Sequence, residues 1–248
     1  MKAMILAAGR GTRMLPLTET LPKALIEVQG ITLLEHTIRY LKYFGVNDIV
    51  INIHHHARQI VDFIQRNNSF GITISFSDES DLLLDTGGGL FNARWFFTNT
   101  EPFILTSSDV ITDLDLAELV KFHQQQQALV TLAVKHRKSS RDFLFDNDFQ
   151  VLGWHNNTTG QTKLITDAAE FQRAAFSTIH VIDPRLFELI TERGPFSIID
   201  VYLRLAASHP VKGYVHDSSR WFECGRIENL PVLNQSADIA AIIEKYGK

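Results

Sequence analysis

The chain has 248 residues, of which 45% are apolar and 21% are charged. These proportions are typical of a folded globular domain, and they exclude a disordered chain, a collagen-like chain and a coiled coil. Because 24 Lys and Arg stand against 28 Asp and Glu, the net charge is −4. The bulk charge therefore does not favour nucleic acid, and any anion site must be local. The single cysteine, Cys224, excludes an intrachain disulfide.

The N-terminus carries a positive charge and a short apolar run that ends in a charged segment with two glycines, residues 9–13, which we call the glycine segment. A secretory leader needs a longer apolar region, and a membrane helix needs roughly 18 apolar residues, which no window approaches. We therefore expect a cytoplasmic protein without a membrane or nucleic-acid partner.

Strand-like and helix-like segments alternate through the first part of the chain. Short apolar runs predict strands over 3–8, 48–52, 73–76, 103–106 and 129–134, and apolar residues at helical spacing predict helices over 33–43, 58–66 and 115–123. Gly45 is the predicted stop of the first helix, and Asp115 is the predicted N-cap of the third. This alternation predicts parallel βαβ units with helices on both faces of a sheet.

The pattern changes after about residue 137. It predicts a hairpin over 143–154, a polar turn at 156–160, strands over 174–182, 211–215 and 220–223, and helices over 198–207, 227–233 and 237–246. Ser197 is the predicted N-cap of the helix that follows it. These segments are expected to extend the same sheet rather than form a separate unit.

The strongest chemical signal follows the first predicted strand. Gly9 and Gly11 allow backbone N–H groups to approach phosphate oxygens, Arg13 offers a forked cation, and Lys23 offers a point charge. The dinucleotide fingerprint is excluded because Thr12 and its neighbours stand where a third glycine is needed, and the Walker loop is absent. A plain strand-to-turn connection with surface cations stays the alternative.

Two further segments could complete a nucleotide site. The three glycines at 87–89, ahead of an apolar helix over 90–97, predict a loop that lies flat against a planar ring, with a flexible turn as the alternative. Asp109 follows the fourth strand, where a carboxylate is a suitable ligand for Mg²⁺ bound to phosphates. If strands one and four are parallel neighbours, the glycine segment and Asp109 share one mouth. Asp113 and Asp115 are better explained as a loop acid and a helix cap.

Other conspicuous residues predict structure rather than chemistry. The histidines at 54–56 would alternate faces on a strand, which does not suit one metal ion. Cys224 is expected to be a packed thiol without an activating histidine. The aromatic run at 95–97 is expected in the core. By itself, Glu223 would be a solvated acid.

The segments at 6–14 and 22–25 resemble the signature of the sugar-phosphate nucleotidyltransferases, and those at 85–89, 106–109 and 221–225 follow in that family's order. The similarity covers essentially the whole chain and is nearest to short bacterial members such as the N-acetylmuramate 1-phosphate uridylyltransferases and the mannose-1-phosphate guanylyltransferase-like proteins. It implies an α/β, Rossmann-like three-layer fold with a mostly parallel mixed sheet. It also implies one domain over 1–248, with a nucleotide-binding part (1–136), a sugar-binding part (137–248) and no C-terminal β-helix domain.

The resemblance further implies a reaction in which a sugar 1-phosphate attacks the α-phosphorus of a nucleoside triphosphate with Mg²⁺ as cofactor. The protein would act as a monomer or homodimer. Arg13, Lys23 and Asp109 would be catalytic, Asp109 and Glu223 would hold the metal, and Thr178 and Lys163 would contact the sugar. The residues implied in nucleotide binding are Leu6, Ala7, Ala8, Gly9, Gly11, Thr12, Arg13, Lys23, Asp85, Thr86, Gly87 and Gly88.

The chain departs from the family pattern at three positions. Ser108 and Thr178 stand where glycine is usual, and Glu223 stands where aspartate is usual. An extra methylene moves a carboxylate by about 1 Å, and a misplacement of that size can cost about 10²-fold in rate. We therefore expect an unusual or narrowed acceptor pocket, or lost activity. The alternatives are a non-catalytic nucleotide or sugar-nucleotide binding module, and a nucleotidyltransferase for a non-sugar phosphate such as phosphocholine.

Overall fold

The computed structural model describes residues 1–98, 101–166 and 170–247. Its strands are β1 (Lys2–Leu6), β2 (Glu27–Val28), β3 (Ile31–Thr32), β4 (Asp48–Ile53), β5 (Thr73–Asp78), β6 (Phe103–Ser107), β7 (Val110–Thr112), β8 (Val130–Lys135), β9 (Arg141–Phe145), β10 (Val151–Asn156), β11 (Thr162–Leu164), β12 (Gln172–Ile182), β13 (Val211–Val215) and β14 (Trp221–Glu223). Its helices are α1 (Leu33–Tyr43), α2 (Ala57–Arg66), α3 (Asp85–Asn92), α4 (Leu116–Gln125), α5 (Leu186–Leu189), α6 (Ile198–Ala206), α7 (Leu230–Asn234) and α8 (Ala237–Tyr246).

One mixed sheet of ten strands organises the described residues. β5, β4, β1 and β6 pair in parallel, and β12 then runs antiparallel to β6. The remaining pairings leave only β10 and β12 running against the direction of β1, so the sheet is mostly parallel. β7 and β14 form a separate antiparallel pair beside it, and β2 and β3 form another. The predicted α/β fold with a mixed, mostly parallel sheet is confirmed.

Two apolar layers cover the faces of this sheet. Successive residues of β1 point to opposite faces: Ala3 and Ile5 pack in one core with side chains of α1, α2, α4 and α8, and Met4 packs in the other with side chains of α3, α5 and α6. All three are fully buried, as expected for a central parallel strand. None of the helices in the described ranges is long and apolar enough to cross a bilayer.

The local signals for helix ends predicted the observed boundaries well. α1 has the predicted bounds, and Gly45 follows it with a φ of 78°. The Asp115 side chain accepts hydrogen bonds from the amides of Ala117 and Glu118, and Ser197 accepts one from Ile199. The predicted helix over 227–233 is instead a short 3-10 turn followed by α7, which starts at Leu230.

Four other expectations were wrong in detail. β1 ends at Leu6, so Ala7 and Ala8 lie outside the predicted strand. The residues 54–56 occupy the turn after β4 rather than the strand itself. Trp95 is 53% exposed, although its two aromatic neighbours are buried. The glycines at 87–89 form the middle of α3 rather than a loop ahead of a helix.

The three glycines are needed within α3 because this helix packs closely against its neighbours. A Cβ at Gly87 would overlap the ring of Phe196, and one at Gly88 would lie 2.5 Å from the Gly194 carbonyl oxygen. A Cβ at Gly89 would lie 2.6 Å from Glu79 Oε1. Glycine has low intrinsic helix propensity, but this packing requires its small size and overrides the propensity.

Candidate active site

The carboxyl ends of β1 and β6 meet at one edge of the sheet. Leu6 pairs with Ser107 at the last register position of these parallel strands. The glycine segment leaves β1 at this point, and Ser108 and Asp109 leave β6 beside it, with the Ser108 amide donating to the Leu6 carbonyl at 3.2 Å. The prediction that the glycine segment and Asp109 share one mouth is confirmed. Ligands of parallel α/β sheets bind at such edges.

A first cavity of about 420 Å³ opens here, and we call it the nucleotide-side cavity. Seven of the twelve residues implied in nucleotide binding line it together with Asp109, and Gly11, Thr12, Arg13, Gly87 and Gly88 do not. Its lining comprises Leu6, Ala7, Ala8, Gly9, Lys23, Asn52, Glu79, Leu83, Asp85, Thr86, Ser107, Ser108 and Asp109. The glycines of α3 instead use their backbone elsewhere, since the amides of Gly87 and Gly88 donate to the Phe196 carbonyl at 2.9 and 3.2 Å.

Asn52 and Glu79 form a buried wall of this cavity that sequence analysis missed. Asn52 Oδ1 accepts hydrogen bonds from the amides of Ala7 at 2.7 Å and Ala8 at 3.3 Å. Glu79 accepts from Asn52 Nδ2 at 2.7 Å and from the Leu84 amide at 3.0 Å. Burial raises the pKa of Glu79, against the opposing effect of these hydrogen bonds. For Asn52 the available signal was a polar residue at the end of the apolar strand predicted over 48–52. Glu79 lies three residues after the strand predicted over 73–76 and carried no comparable signal.

Across the described residues, the backbone amides at 9–11 lack the protein partners that those of Ala7 and Ala8 have. Within the described ranges, the amides of Gly9, Arg10 and Gly11 donate to no protein acceptor. Gly11 has a φ of 64°, and a Cβ there would lie 2.8 Å from the Thr18 side chain. Glycine is therefore required at this turn, both for its conformation and for its size. Consecutive amides without protein partners are suited to binding phosphate oxygens.

Lys23 and Asp109 form an ion pair at the centre of the site. Both side chains are largely buried, at 15% and 13% exposure. Burial by itself would raise the pKa of Asp109, but the Lys23 ammonium and the hydrogen bonds to the carboxylate hold that pKa below its usual value. Gly225 allows the pair to form, because a Cβ there would lie 2.6 Å from both Asp109 Oδ2 and Lys23 Nζ.

A second cavity of about 660 Å³ adjoins the first, and we call it the acceptor-side cavity. Asp109 lines both cavities. Arg13 reaches this second cavity, where its guanidinium pairs with Glu223 at 2.7 Å. The lining also includes Thr178 and several residues that sequence analysis had not selected: Arg137, Arg141, Asp142, Trp154, Phe176, Trp221 and Arg226.

Thr178 stands at an irregularity of β12 on the floor of this cavity. The register with β8 shifts between Phe176 and His180, and Thr178 has a φ of 60°. This conformation is strained for a β-branched residue. Its Oγ1 lies 2.8 Å from Ser107 Oγ, so the hydroxyl links β12 to the end of β6. The side chain adds bulk where the family usually has glycine.

Lys163 lies beside the acceptor-side cavity rather than in its lining. Its ammonium donates to Asp200 at 2.8 Å and stands 5.8 Å from the ring centre of Trp154, which does line the cavity. The predicted contact of Lys163 with a sugar therefore has no support from its position.

Asp109 and Glu223 could both ligate one divalent cation. β14 pairs with β7 so that Glu223 stands opposite Val110, the residue after Asp109, and the Cys224 amide donates to the Asp109 carbonyl at 2.8 Å. Within the described residues no cluster of three or more His, Cys, Asp or Glu could hold a metal. A nucleotide-bound Mg²⁺ needs only one or two protein carboxylates because phosphates and waters complete its octahedron. The two carboxylates therefore fit Mg²⁺.

Comparison with known proteins identifies the family. Residues 2–143 match the family model described as Nucleotidyl transferase. The chain belongs to this family. The N-acetylmuramate alpha-1-phosphate uridylyltransferase of Neisseria meningitidis is 30% identical over 92% of this chain and 94% of its own length. The resemblance stated from the motifs is thereby confirmed.

Other matches differ in length. The UTP–glucose-1-phosphate uridylyltransferase of Synechocystis is 35% identical over 54% of this chain, which spans 37% of that relative. The crystal structure of HddC from Yersinia pseudotuberculosis complexed with GMP-PN superposes with a TM-score of 0.75 at 20% identity, over 99% of both chains. At this identity the structural likeness shows a shared fold and nothing further.

Proposed function

We propose that this chain transfers a nucleotidyl group from a nucleoside triphosphate to a sugar 1-phosphate, giving an NDP-sugar and pyrophosphate. The observation that carries the proposal is the position of Asp109, which lines both cavities and is paired with Lys23. A donor in the nucleotide-side cavity and an acceptor in the acceptor-side cavity would meet at this pair.

In the proposed reaction an oxygen of the sugar 1-phosphate forms a bond to the α-phosphorus, and the bond from the α-phosphorus to the bridging oxygen breaks. The electron pair leaves with pyrophosphate. The nucleophile is already an anion, so no general base is needed, and catalysis consists of alignment and charge neutralisation. The free amides at 9–11 would bind the triphosphate, Arg13 would neutralise its outer phosphates, and Lys23 would stabilise charge at the α-phosphate.

Asp109 and Glu223 would hold Mg²⁺. When bound, this ion supplies neutralisation of phosphate charge that no side chain matches. The residues of the chain have a complementary role: the ion pairs of Lys23 with Asp109 and of Arg13 with Glu223 hold cations and carboxylates next to one another before any ligand binds. Phosphates would then bind the cations, and a divalent cation would bind the carboxylates, without rearrangement of the site.

A relative that this chain matches over nearly its whole length suggests which nucleotide and which sugar phosphate are the substrates. That relative is named a uridylyltransferase for N-acetylmuramate 1-phosphate, so UTP with this sugar phosphate is the first pair to test. We further propose that the reaction occurs in the cytoplasm, without nucleic acid or membrane, in a monomer or homodimer of a single nucleotidyltransferase domain.

Pyrophosphate release by the purified chain tests the proposal. Five nucleoside triphosphates would be combined with a panel of sugar 1-phosphates, with Mg²⁺ or with chelator. We expect release only when one triphosphate, one sugar phosphate and Mg²⁺ are present together, and loss of release in Asp109→Asn. Asp115→Asn is the matched control, because asparagine also caps helices. Saturable nucleotide binding without turnover across the panel would instead support the non-catalytic binding module.

The acceptor-side cavity argues against a quaternary ammonium acceptor such as phosphocholine. Such a cation needs free aromatic faces. The Arg137 guanidinium already lies 3.9 Å from the ring centre of Trp221, and Arg141 lies 5.9 Å from that of Trp154. The cations along this wall are suited to an anionic acceptor.

A further inference from the structure

In the described part of the chain, four arginines line the acceptor-side cavity, and Arg137 is the partly buried one among them that forms no ion pair, whereas Arg141 is exposed. Arg13 and Arg226 both pair with Glu223, at 2.7 and 3.4 Å. Among the residues that the structure describes, Arg137 has no carboxylate within 4.0 Å. Within that part of the chain it is therefore a cation of this cavity without a counter-ion of its own.

The guanidinium of Arg137 is held in place by neutral groups. It stacks on the ring of Trp221 at 3.9 Å, and its Nη2 donates to the Phe176 carbonyl at 2.9 Å. Among the described residues, its Nη1 makes only a contact of 3.5 Å to the Lys138 carbonyl, and its buried Nε has no partner. Stacking fixes the plane of the group while leaving hydrogens on both terminal nitrogens for a ligand.

Burial of this cation has a cost that a bound anion would offset. Desolvation lowers the pKa of Arg137, and the charges of Glu223 and Asp142 oppose that effect. A charge that is partly removed from water without an ion pair destabilises the protein unless a ligand compensates it. Arg137 lines the same cavity as Asp109 and Glu223, the residues that would hold Mg²⁺.

Two segments of the site converge on this guanidinium. Trp221 lies two residues before Glu223 on β14, and Phe176 lies two residues before Thr178 on β12. Arg137 thus contacts both the strand that carries Glu223 and the strand that carries Thr178. Lys163, which the resemblance implied in contact with the sugar, is instead paired with Asp200.

We propose that Arg137 binds the phosphate of the acceptor, through its two terminal nitrogens. A guanidinium fork matches two phosphate oxygens and fixes their orientation as well as their charge. Arg137 thereby positions the attacking oxygen beside Asp109, and Lys163 has no part in this contact. This inference rests on the proposed function, because it assigns a residue to that acceptor.

The test compares Arg137→Gln with Lys163→Gln in pyrophosphate-release kinetics, with donor and acceptor varied separately. A charge-assisted hydrogen bond contributes about 1.5–3 kcal/mol, so Arg137→Gln should lower kcat/KM for the acceptor about 10- to 100-fold. The KM for the nucleoside triphosphate should stay unchanged. Lys163→Gln should change acceptor kinetics by less than about threefold, as expected for an exposed ion pair. Added guanidinium ion should partly restore Arg137→Gly.

A second measurement separates this inference from the reaction itself. Titration calorimetry would follow binding of glucose 1-phosphate and N-acetylmuramate 1-phosphate to wild type and to both variants. If the wild type binds an acceptor without turning it over, the proposed function fails, and selective loss of binding in Arg137→Gln still supports the inference. Equal acceptor kinetics and binding in Arg137→Gln and wild type would overturn it, as would an equal loss of triphosphate binding. If no acceptor binds to the wild type, both proposals fail.

Discussion

Asn52 and Glu79 are joined by a hydrogen bond of 2.7 Å, and this pair holds the backbone at the end of β1. Asn52 Oδ1 accepts hydrogen bonds from the amides of Ala7 and Ala8, so the two amides just before the glycine segment already have protein partners. The amides of Gly9, Arg10 and Gly11 have no such partner within the described ranges. The pair therefore anchors the backbone at Ala7 and Ala8 and leaves the amides that follow, at 9–11, free to bind phosphate.

Gly89→Ala should disrupt this pair. The added Cβ would lie 2.6 Å from Glu79 Oε1 and 3.0 Å from Asn52 Nδ2, and neither atom can retreat without losing its partner. Overpacking of this kind costs about 1–3 kcal/mol, which urea unfolding would measure. Gly9→Ala is the matched control, because a Cβ there meets no atom within 4 Å. Equal stability of the two variants would mean that the pair is not rigid.

Lys23→Ala should abolish most of the proposed turnover. It removes the cation nearest Asp109, and loss of one preorganised electrostatic group commonly costs about 10²–10³-fold in kcat. It also leaves a largely buried carboxylate unpaired, so the variant should be less stable as well. Pyrophosphate release is the measurement, and Lys121→Ala, which removes an exposed ion pair, is the control. Turnover near the wild-type rate in Lys23→Ala would contradict its assigned role.

His36 should make stability depend on pH between about 6.5 and 4. Burial lowers the pKa of His36 from 6.5 to about 4, and neither ring nitrogen has a hydrogen-bond partner among the described residues. Because the folded pKa is depressed, the unfolded state binds the proton first as pH falls. The stability contribution is complete above pH 6.5 and declines below it, by up to about 1.4 kcal/mol per pH unit.

His36→Phe should remove only the His36 share of the pH slope, because burial also lowers the pKa of His123, His180 and His216. Stability at pH 7 should be equal or higher, since an unpaired polar ring is replaced by an apolar one. Urea unfolding at pH 5 and pH 7 measures both effects. His180→Phe is an informative contrast: it would leave the hydroxyl of Tyr202 without its partner at 2.9 Å, and should therefore cost about 1–3 kcal/mol at pH 7. An unchanged pH slope in His36→Phe would disprove the argument.

Cys224 should resist alkylation in the folded protein. The thiol is fully buried, and burial, assisted by the Asp109 charge, raises its pKa to about 12. The thiolate is the reactive form, so iodoacetamide at pH 8 should leave the native chain unmodified and label it fully in urea. Intact-mass spectrometry would measure both. Stoichiometric labelling of the native chain would show that the β14 segment opens far more readily than its packing indicates.

Sequence patterns predicted those parts of the fold that depend on short stretches of chain. The bounds of α1, the caps at Asp115 and Ser197, and the hairpin of β9 and β10 all follow from side chains within a few residues of one another. The meeting of the glycine segment with Asp109 also followed, because parallel strands bring their carboxyl ends to one edge. The site residues taken from the motifs stay a prediction: most of them line one of the two cavities, whereas Gly11, Thr12, Gly87, Gly88 and Lys163 line neither.

The sequence by itself determined the family, the mixed α/β sheet and the edge at which chemistry would occur, since motif order and apolar periodicity are local properties. Only the tertiary structure decided which distant side chains meet there. Asn52 with Glu79, Arg137 with Trp221, and the helical glycines against Phe196 are contacts between segments far apart in the chain. Packing between layers creates these contacts, and no spacing within a single segment encodes them.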